Sequence, residues 1–430
     1  MFVTLTRQDC LALDATDPLR ALRDQFILPE GVIYLDGNSL GAQPAATPAR
    51  VAEAIQQEWG EGLIRSWNSA GWIAQPQRLG DKIARLVGAA PGEVVVADST
   101  SVNLYKVLSA ALAIARADAP ERKVVLSDRE NFPTDLYIAQ SLCAQHGLTL
   151  ELASAAGLEA RLAKGSDIAV LLWTQVNYRS GLMLDMARLT AQAHAAGALA
   201  IWDLAHSAGA VPVDLNRAEA DFAVGCGYKY LNGGPGAPAF VWAHARHADR
   251  FWQPLSGWMG HAAPFRFDTG YRPAPGVSRY LCGTPAVLAM SALECGIDTL
   301  LAAEPLGGMA ALRAKSLQLS RLFVAQVQQR CAAHALPLAS PLDETQRGSQ
   351  VSLVHNEGGY AVMAALIARG VIGDFRAGAS SQAEPDLLRF GFTPLYTRFV
   401  DVFDAVTALA EVLDSGEWRE ARFNQRAAVT

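Results

Sequence analysis

Lys229, in the segment DFAVGCGYKYLNGGPGAP, has the setting that most invites covalent chemistry. It follows an apolar run that reads as a strand and precedes a glycine-rich turn. A lysine forms an imine with an aldehyde only when its amine is unprotonated, and a buried, cation-lined setting favours that form. Taken alone, the same pattern also suits a surface lysine at a strand end. The run ALAIWDLAHSAGA places Asp203 at the end of another apolar stretch, with His206 close behind. A carboxylate there is costly unless it meets a positive charge. A protonated ring nitrogen is such a charge, and pairing with it keeps the ring an electron sink. Capping of the next helix and metal binding are the alternatives for Asp203. In EVVVADSTSVNLYKVL, Thr100 and Ser101 lie between a strand and a helix. Hydroxyls and free amides at a helix start make an anion site suited to a phosphate, although plain N-capping uses the same residues. The NFPTD segment sets Phe132, Pro133, Thr134 and Asp135 just after another apolar run. Phe132 there can stack on a planar ring and Asp135 can hydrogen-bond near it; an ordinary capped loop reads the same way. The glycines of GGPGAP do not match GxxxxGK[ST], which leaves a nucleotide phosphate loop weakly supported.

These residues need a frame. Apolar runs occur at 93–98, 123–127, 148–152, 167–174, 198–203, 221–226 and 239–243, with helical patterns around 102–115, 134–146, 156–163 and 186–196. Continuous apolar runs suit strands buried on both faces. Their alternation with helices predicts an α/β fold with a mostly parallel sheet. Functional groups on such sheets gather beyond the strands' carboxyl ends. Residues 1–50 read as an arm containing a short strand and a Gly/Pro-rich loop, and a helical pattern closes at Gly88. Residues 250–285 are irregular and aromatic, as functional or partner-contacting loops tend to be. One helical stretch is expected from 285 to about 335, then a smaller α/β pattern through 350–355 to a closing helix near 399–415.

Composition narrows the class. The 430 residues are 51% hydrophobic and 18% charged, with net charge −6 and no basic run, which argues against a nucleic-acid groove. Apolar runs such as LSAALAIA fall short of the roughly 18 residues of a membrane span. The polar start MFVTLTRQDC does not read as a secretory signal. Cys10, Cys143, Cys226, Cys282, Cys295 and Cys331 form no CxxC pair and no zinc spacing. A reduced, cytoplasmic protein without structural metal is expected.

The order of phosphate hydroxyls, stacking aromatic, strand-end Asp203 and then Lys229 is that of fold-type-I pyridoxal 5′-phosphate (PLP) enzymes. More closely, the sequence resembles the kynureninases. The matching segments are GNSLG (37–41), TSVNLYK (100–106), FPTD (132–135), DLAHSAG (203–209), YKYLNGGPG (228–236), SGWMGH (256–261) and RFGFTPLY (389–396). The resemblance implies an aspartate aminotransferase-like fold: an arm (1–50) joining the small domain, a large PLP-binding domain (51–300) and a small C-terminal domain (301–430). It implies hydrolytic Cβ–Cγ cleavage of L-kynurenine to anthranilate and L-alanine in tryptophan degradation, by a homodimer with active sites at its interface. Lys229 would carry the cofactor and shuttle protons, and Asp203 would contact its ring nitrogen, with His206 close by. Phe132, in the FPTD segment with Pro133, Thr134 and Asp135, would stack on the ring. Thr174 would lie near the ring, and Thr100, Ser101 and Tyr228 on the phosphate side, with Tyr228 also a candidate proton donor. Trp258 and Thr284 resemble residues reaching the phosphate across the dimer interface. Arg389 matches the arginine that grips the substrate's α-carboxylate, and Asn38, Ser39, Trp67 and Gly283 match positions around its aryl end. Animal kynureninases, which favour the 3-hydroxylated substrate, carry polar residues where this chain has Trp67 and Gly283-Thr284. The chain resembles the bacterial type, which implies a preference for unhydroxylated kynurenine. The rival on the same fold is a cysteine desulfurase or class-V aminotransferase. A desulfurase needs a mobile cysteine in the small domain, and PLDETQRGSQ (341–350) has none.

Overall fold

The computed structural model describes residues 5–251, 253–378 and 384–427. The chain divides into two compact units, Thr47–Tyr178 with Leu184–Ile297, and Met1–Ala46 with Arg179–Met183 and Asp298–Thr430.

In the larger unit all seven apolar runs become strands of one sheet. They are β1 (Val94–Ala97), β2 (Val124–Asp128), β3 (Thr149–Ala153), β4 (Ile168–Thr174), β5 (Leu199–Asp203), β6 (Phe222–Gly225) and β7 (Ala239–Ala243). Their order is β1-β7-β6-β5-β4-β2-β3. Only β7 runs antiparallel to its neighbours, while β6, β5, β4, β2 and β3 pair in parallel. Every residue of β4 is buried, as a central strand covered on both faces requires. The edge strand β3 is only partly buried, and its sequence TLELA interleaves polar residues. Helices α1 (Gln75–Val87), α2 (Thr100–Asp118), α3 (Pro133–His146), α4 (Ala155–Leu162) and α5 (Met186–Ala195) accompany the strands. Helix α1 ends at Gly88, whose φ of +64° gives the left-handed cap that glycine adopts freely. Val95, Leu104, Leu108, Val170, Ile201 and Val241 are among the buried residues of this unit's core.

The expected helical stretch from 285 to 335 is two helices, α6 (Val287–Leu301) and α7 (Gly308–Arg330). A short turn at Glu304–Leu306 and Gly307, at φ +103°, separate them. Pro305 and the Gly307-Gly308 pair explain the break, since neither suits a helix interior.

The smaller unit is built around β8 (Gln350–Val354), β9 (Asp374–Arg376) and β10 (Leu387–Gly391), an antiparallel sheet in the order β8-β10-β9. Helices α8 (Gly359–Ala368) and α9 (Phe399–Ser415) complete the pattern. The N-terminal segment is part of this unit. Ile33–Tyr34 pairs in parallel with Val371–Ile372, and Cys10 and Leu35 are buried in the same core as Phe323, Phe390 and Val406. The helix Arg7–Thr16, which the sequence reading did not single out, is announced by a capping box between Thr6 and Asp9. Among the described residues no helix is long and apolar enough to cross a membrane.

Candidate active site

The strand ends of the larger unit converge as parallel topology demands. Thr174 closes β4 and Asp203 closes β5, and the two are register partners across that pair. Asp203 is buried and its Oδ1 accepts the Ala205 N–H at 2.6 Å. Asp135, also buried, comes from the first turn of α3 and hydrogen-bonds to Asp203. Burial and the neighbouring Asp203 carboxylate hold the Asp135 carboxyl well above its ordinary range. Burial raises Asp203 too, opposed by the Ala205 N–H, the Lys229 charge and the bond from Asp135. Two carboxyls in one dry site do not both ionise. The site favours the neutral form more strongly at Asp135, whose bond to Asp203 favours the charged form of Asp203.

Lys229 lies four residues beyond β6. Its Nζ is 2.9 Å from His206 Nε2, 5.7 Å from the centroid of the Tyr228 ring and 5.9 Å from that of Phe132. Phe132 is 42% exposed, which leaves part of its ring available to a planar partner. It meets Tyr178 in a T-shaped contact, with centroids 5.2 Å apart. Burial pushes the Tyr228 phenol above its usual range, so it remains an O–H donor at neutral pH. The loop after Lys229 turns on Asn232 (φ +55°) and Gly234 (φ +84°).

A cavity of about 440 Å³ adjoins this arrangement, lined by Asp98, Thr100, Tyr228, Gly236, Gly283 and Thr284. Ser99, not Thr100 or Ser101, caps α2 by accepting the Val102 N–H at 3.3 Å. That settles which hydroxyl caps: Thr100 Oγ1 is left buried with no hydrogen-bond partner, beside a helix N-terminus. Ser101 follows in the first turn, half-buried and outside the cavity lining. Pro133 and Thr134 open α3. Trp67 and Trp258 meet edge to face with centroids 5.8 Å apart, and Trp258 meets Phe265 at 5.6 Å.

Arg389, Ser39 and Asn38 belong to the smaller unit. Arg389, on β10, is 1% exposed. Its guanidinium pairs with Asp374 of β9 and donates from Nη2 to Ser39 Oγ at 3.2 Å. Asn38 is fully buried, and neither atom of its amide has a hydrogen-bond partner.

Sequence reasoning missed Asn131. Its Oδ1 accepts from both Thr174 Oγ1 and the Phe132 N–H, the latter at 2.8 Å, so one side chain ties the end of β4 to the start of α3. An Asn before Phe-Pro is a capping signal that was available in the sequence. Asp374 was missed as well, and nothing local marks it.

These groups suit PLP in kind. Thr100, whose hydroxyl is buried without a partner at a helix start, belongs to the lining of a cavity with room for a phosphate, a partly exposed aromatic ring is available for stacking, and a buried carboxyl pair can meet a pyridinium.

Comparison with known proteins bears on the family. Residues 312–409 match the kynureninase C-terminal domain. A kynureninase of Burkholderia pseudomallei is 57% identical over 428 residues, covering 99% of this chain and 100% of its own. One of Pseudomonas fluorescens is 56% identical over 427 residues, with the same coverage. This chain belongs to the kynureninase family. The fold is shared more widely. A cysteine desulfurase of Thermococcus onnurineus superposes with a TM-score of 0.75 at 19% identity, covering 92% of this chain and 98% of its own. A C-DES variant with glycine covalently linked to its PLP gives 0.77 at 17%, covering 90% and 99%. At such identity these likenesses fix the fold alone. It is the fold expected, a mostly parallel sheet flanked by helices. Kinship at 56–57% over the whole length outweighs them, and the desulfurase alternative for a kynureninase-family chain is not favoured.

Proposed function

We propose that this protein is a PLP-dependent kynureninase that hydrolyses the Cβ–Cγ bond of L-kynurenine, releasing anthranilate and L-alanine. The observation that carries the reading is the Lys229 amine held against His206 beside Phe132, with the Asp203–Asp135 pair buried behind it. Lys229 would hold the cofactor, Asp203 its ring nitrogen, Phe132 a ring face and Thr100 its phosphate. When bound, PLP supplies an electron sink for charge developing at the substrate's Cα and Cβ.

The chain's residues do the rest. Lys229, once its amine is free, would take the proton from the substrate's Cα. His206, within hydrogen-bond distance, orients that amine. The neutral carboxyl of Asp135 steadies Asp203 as a carboxylate in a dry site. Tyr228, still protonated at neutral pH, can give a proton to Cβ as the bond breaks. Arg389, oriented by Asp374 and Ser39, takes the substrate's α-carboxylate. Trp67, Gly283, Asn38 and Ser39 are assigned to its aryl end, with unhydroxylated kynurenine preferred. Trp258 and Thr284 are assigned to the phosphate side, Pro133 and Thr134 to the cofactor with Phe132. The protein works as a homodimer in the cytoplasm, with the arm 1–50 joining the small domain 301–430 and the cofactor in 51–300.

The test is spectroscopic and chemical. Purified protein given PLP should absorb near the visible as a protein-bound imine, Lys229→Ala should lose that band, and kynurenine should yield fluorescent anthranilate. A colourless protein, or one inert towards kynurenine, would overturn the reading. A higher kcat/KM for 3-hydroxykynurenine would overturn the stated preference.

A further inference from the structure

Lys106 is an ammonium with no exposure to solvent, on the second turn of α2. Its Nζ pairs with the carboxylate of Asp98 and donates to the Tyr280 carbonyl at 2.7 Å. Both partners adjoin the cavity described above. Asp98 lines it directly, and Tyr280 immediately precedes the wall 281–284. Asp98 is also held in an unusual backbone state, with φ +43° in the left-handed region that non-glycine residues seldom adopt. Its carbonyl accepts the Ala239 N–H at 2.8 Å, so its backbone is fixed from the sheet side and its side chain from Lys106.

The charges make this arrangement informative. Asp98 is 36% exposed and puts a carboxylate on the lining of a cavity that Thr100 also lines. A phosphate monoester entering there brings up to two negative charges. Uncompensated, the carboxylate repels it, and in a half-buried site that repulsion is weakly screened. Lys106 lies behind Asp98, outside the cavity lining, and supplies the opposite charge.

We propose that Lys106 is a positioning residue for the phosphate of the cofactor: it neutralises and pins Asp98 and ties it to the Tyr280 carbonyl, so that the cavity accepts a dianionic phosphate monoester. This rests on the PLP reading above. A buried pair that serves stability alone predicts something different, because it has no reason to distinguish a phosphorylated from an unphosphorylated ligand.

The experiment compares dissociation constants of apo-protein for PLP and for pyridoxal, by absorbance titration. Lys106→Met should weaken PLP about tenfold or more, while pyridoxal changes little. The double variant Lys106→Met/Asp98→Asn should regain most of the lost PLP affinity, because the repelling charge is gone. Asp98→Asn alone, which keeps the lysine, should bind PLP at least as tightly as the parent protein. That last variant decides the matter if Lys106→Met fails to fold, which its circular dichroism will reveal. Unchanged PLP affinity in Lys106→Met, equal loss for pyridoxal, no recovery in the double variant, or weaker PLP binding by Asp98→Asn would each overturn the inference. Parent protein that binds neither ligand would instead overturn the cofactor assignment itself.

Discussion

Arg389 shows how much of a residue's role lies in its partners. Its guanidinium is buried, and Asp374 and Ser39 already fix its plane, so under the proposed function it would meet a carboxylate without further ordering. Arg389→Ala should raise the KM for kynurenine by about a hundredfold, as losing a charged, bidentate contact does. The absorbance of bound PLP should persist, and its loss would mean the arginine serves the cofactor. Asp36 stands in the same unit, and burial together with Asp374 raises its carboxyl to about 7. A carboxyl whose folded pKa is raised binds protons more tightly folded than unfolded. Its stabilising effect is complete below its ordinary pKa near 4 and is lost as pH rises through about 7. Urea unfolding from pH 4 to 8 should therefore show the parent protein losing stability relative to Asp36→Asn, and parallel curves would refute this. At this scale Lys229, Asp203 and Phe132 were legible, because residue type beside the ends of apolar runs singles them out, while Arg389, in mid-strand, was reached only through the family resemblance. Asp374, Asn131 and Lys106 were not, because each acts on a partner that only folding brings near.

Elements position those residues through close packing. Helix α6 runs behind the Lys229 loop, and a Cβ on Gly296 would collide with the backbone of Leu231 and Asn232. Gly296→Val should therefore displace the loop, at an overpacking cost of about 1–3 kcal/mol. PLP occupancy should fall and amide exchange should rise over 227–237; parent-like occupancy would show that the loop does not need this buttress. The strands of the larger unit were readable because central strands are apolar without interruption, as IAVLLWT shows. The break between α6 and α7 was harder to see. Apolar periodicity carries on across it, and only Pro305 with Gly307-Gly308 marks the end. The hydroxyl that caps α2 was equally unreadable. Ser99, Thr100 and Ser101 are chemically interchangeable as caps, and backbone geometry alone chose Ser99.

For the whole molecule, the exposed aromatics speak to assembly. Phe265 is 58% exposed and Phe267 75%, and their rings join the chain of contacts that runs through Trp258 to Trp67. Trp59 and Ile64 of the same unit are also exposed, at 58% and 75%. Under the homodimer proposal, the joined and exposed Phe265 and Phe267 are the apolar groups to be covered by the partner. Sedimentation at micromolar concentration should give a dimer, and Phe265→Asp with Phe267→Asp should shift it towards monomer. A parent protein that sediments as a monomer would remove the homodimer from the proposal. The sequence by itself determined the strand–helix alternation, the strand ends at which chemistry is placed and the family resemblance, because these depend on local pattern and residue type. Only the tertiary structure decided that Asp135 hydrogen-bonds to Asp203, that Thr100 is the hydroxyl left over, and that Lys106 reaches the Tyr280 carbonyl as well as Asp98. Each of those facts is a short-range contact between segments distant in the chain or a choice among equivalent neighbours, and short-range forces act only after the backbone has brought the groups together.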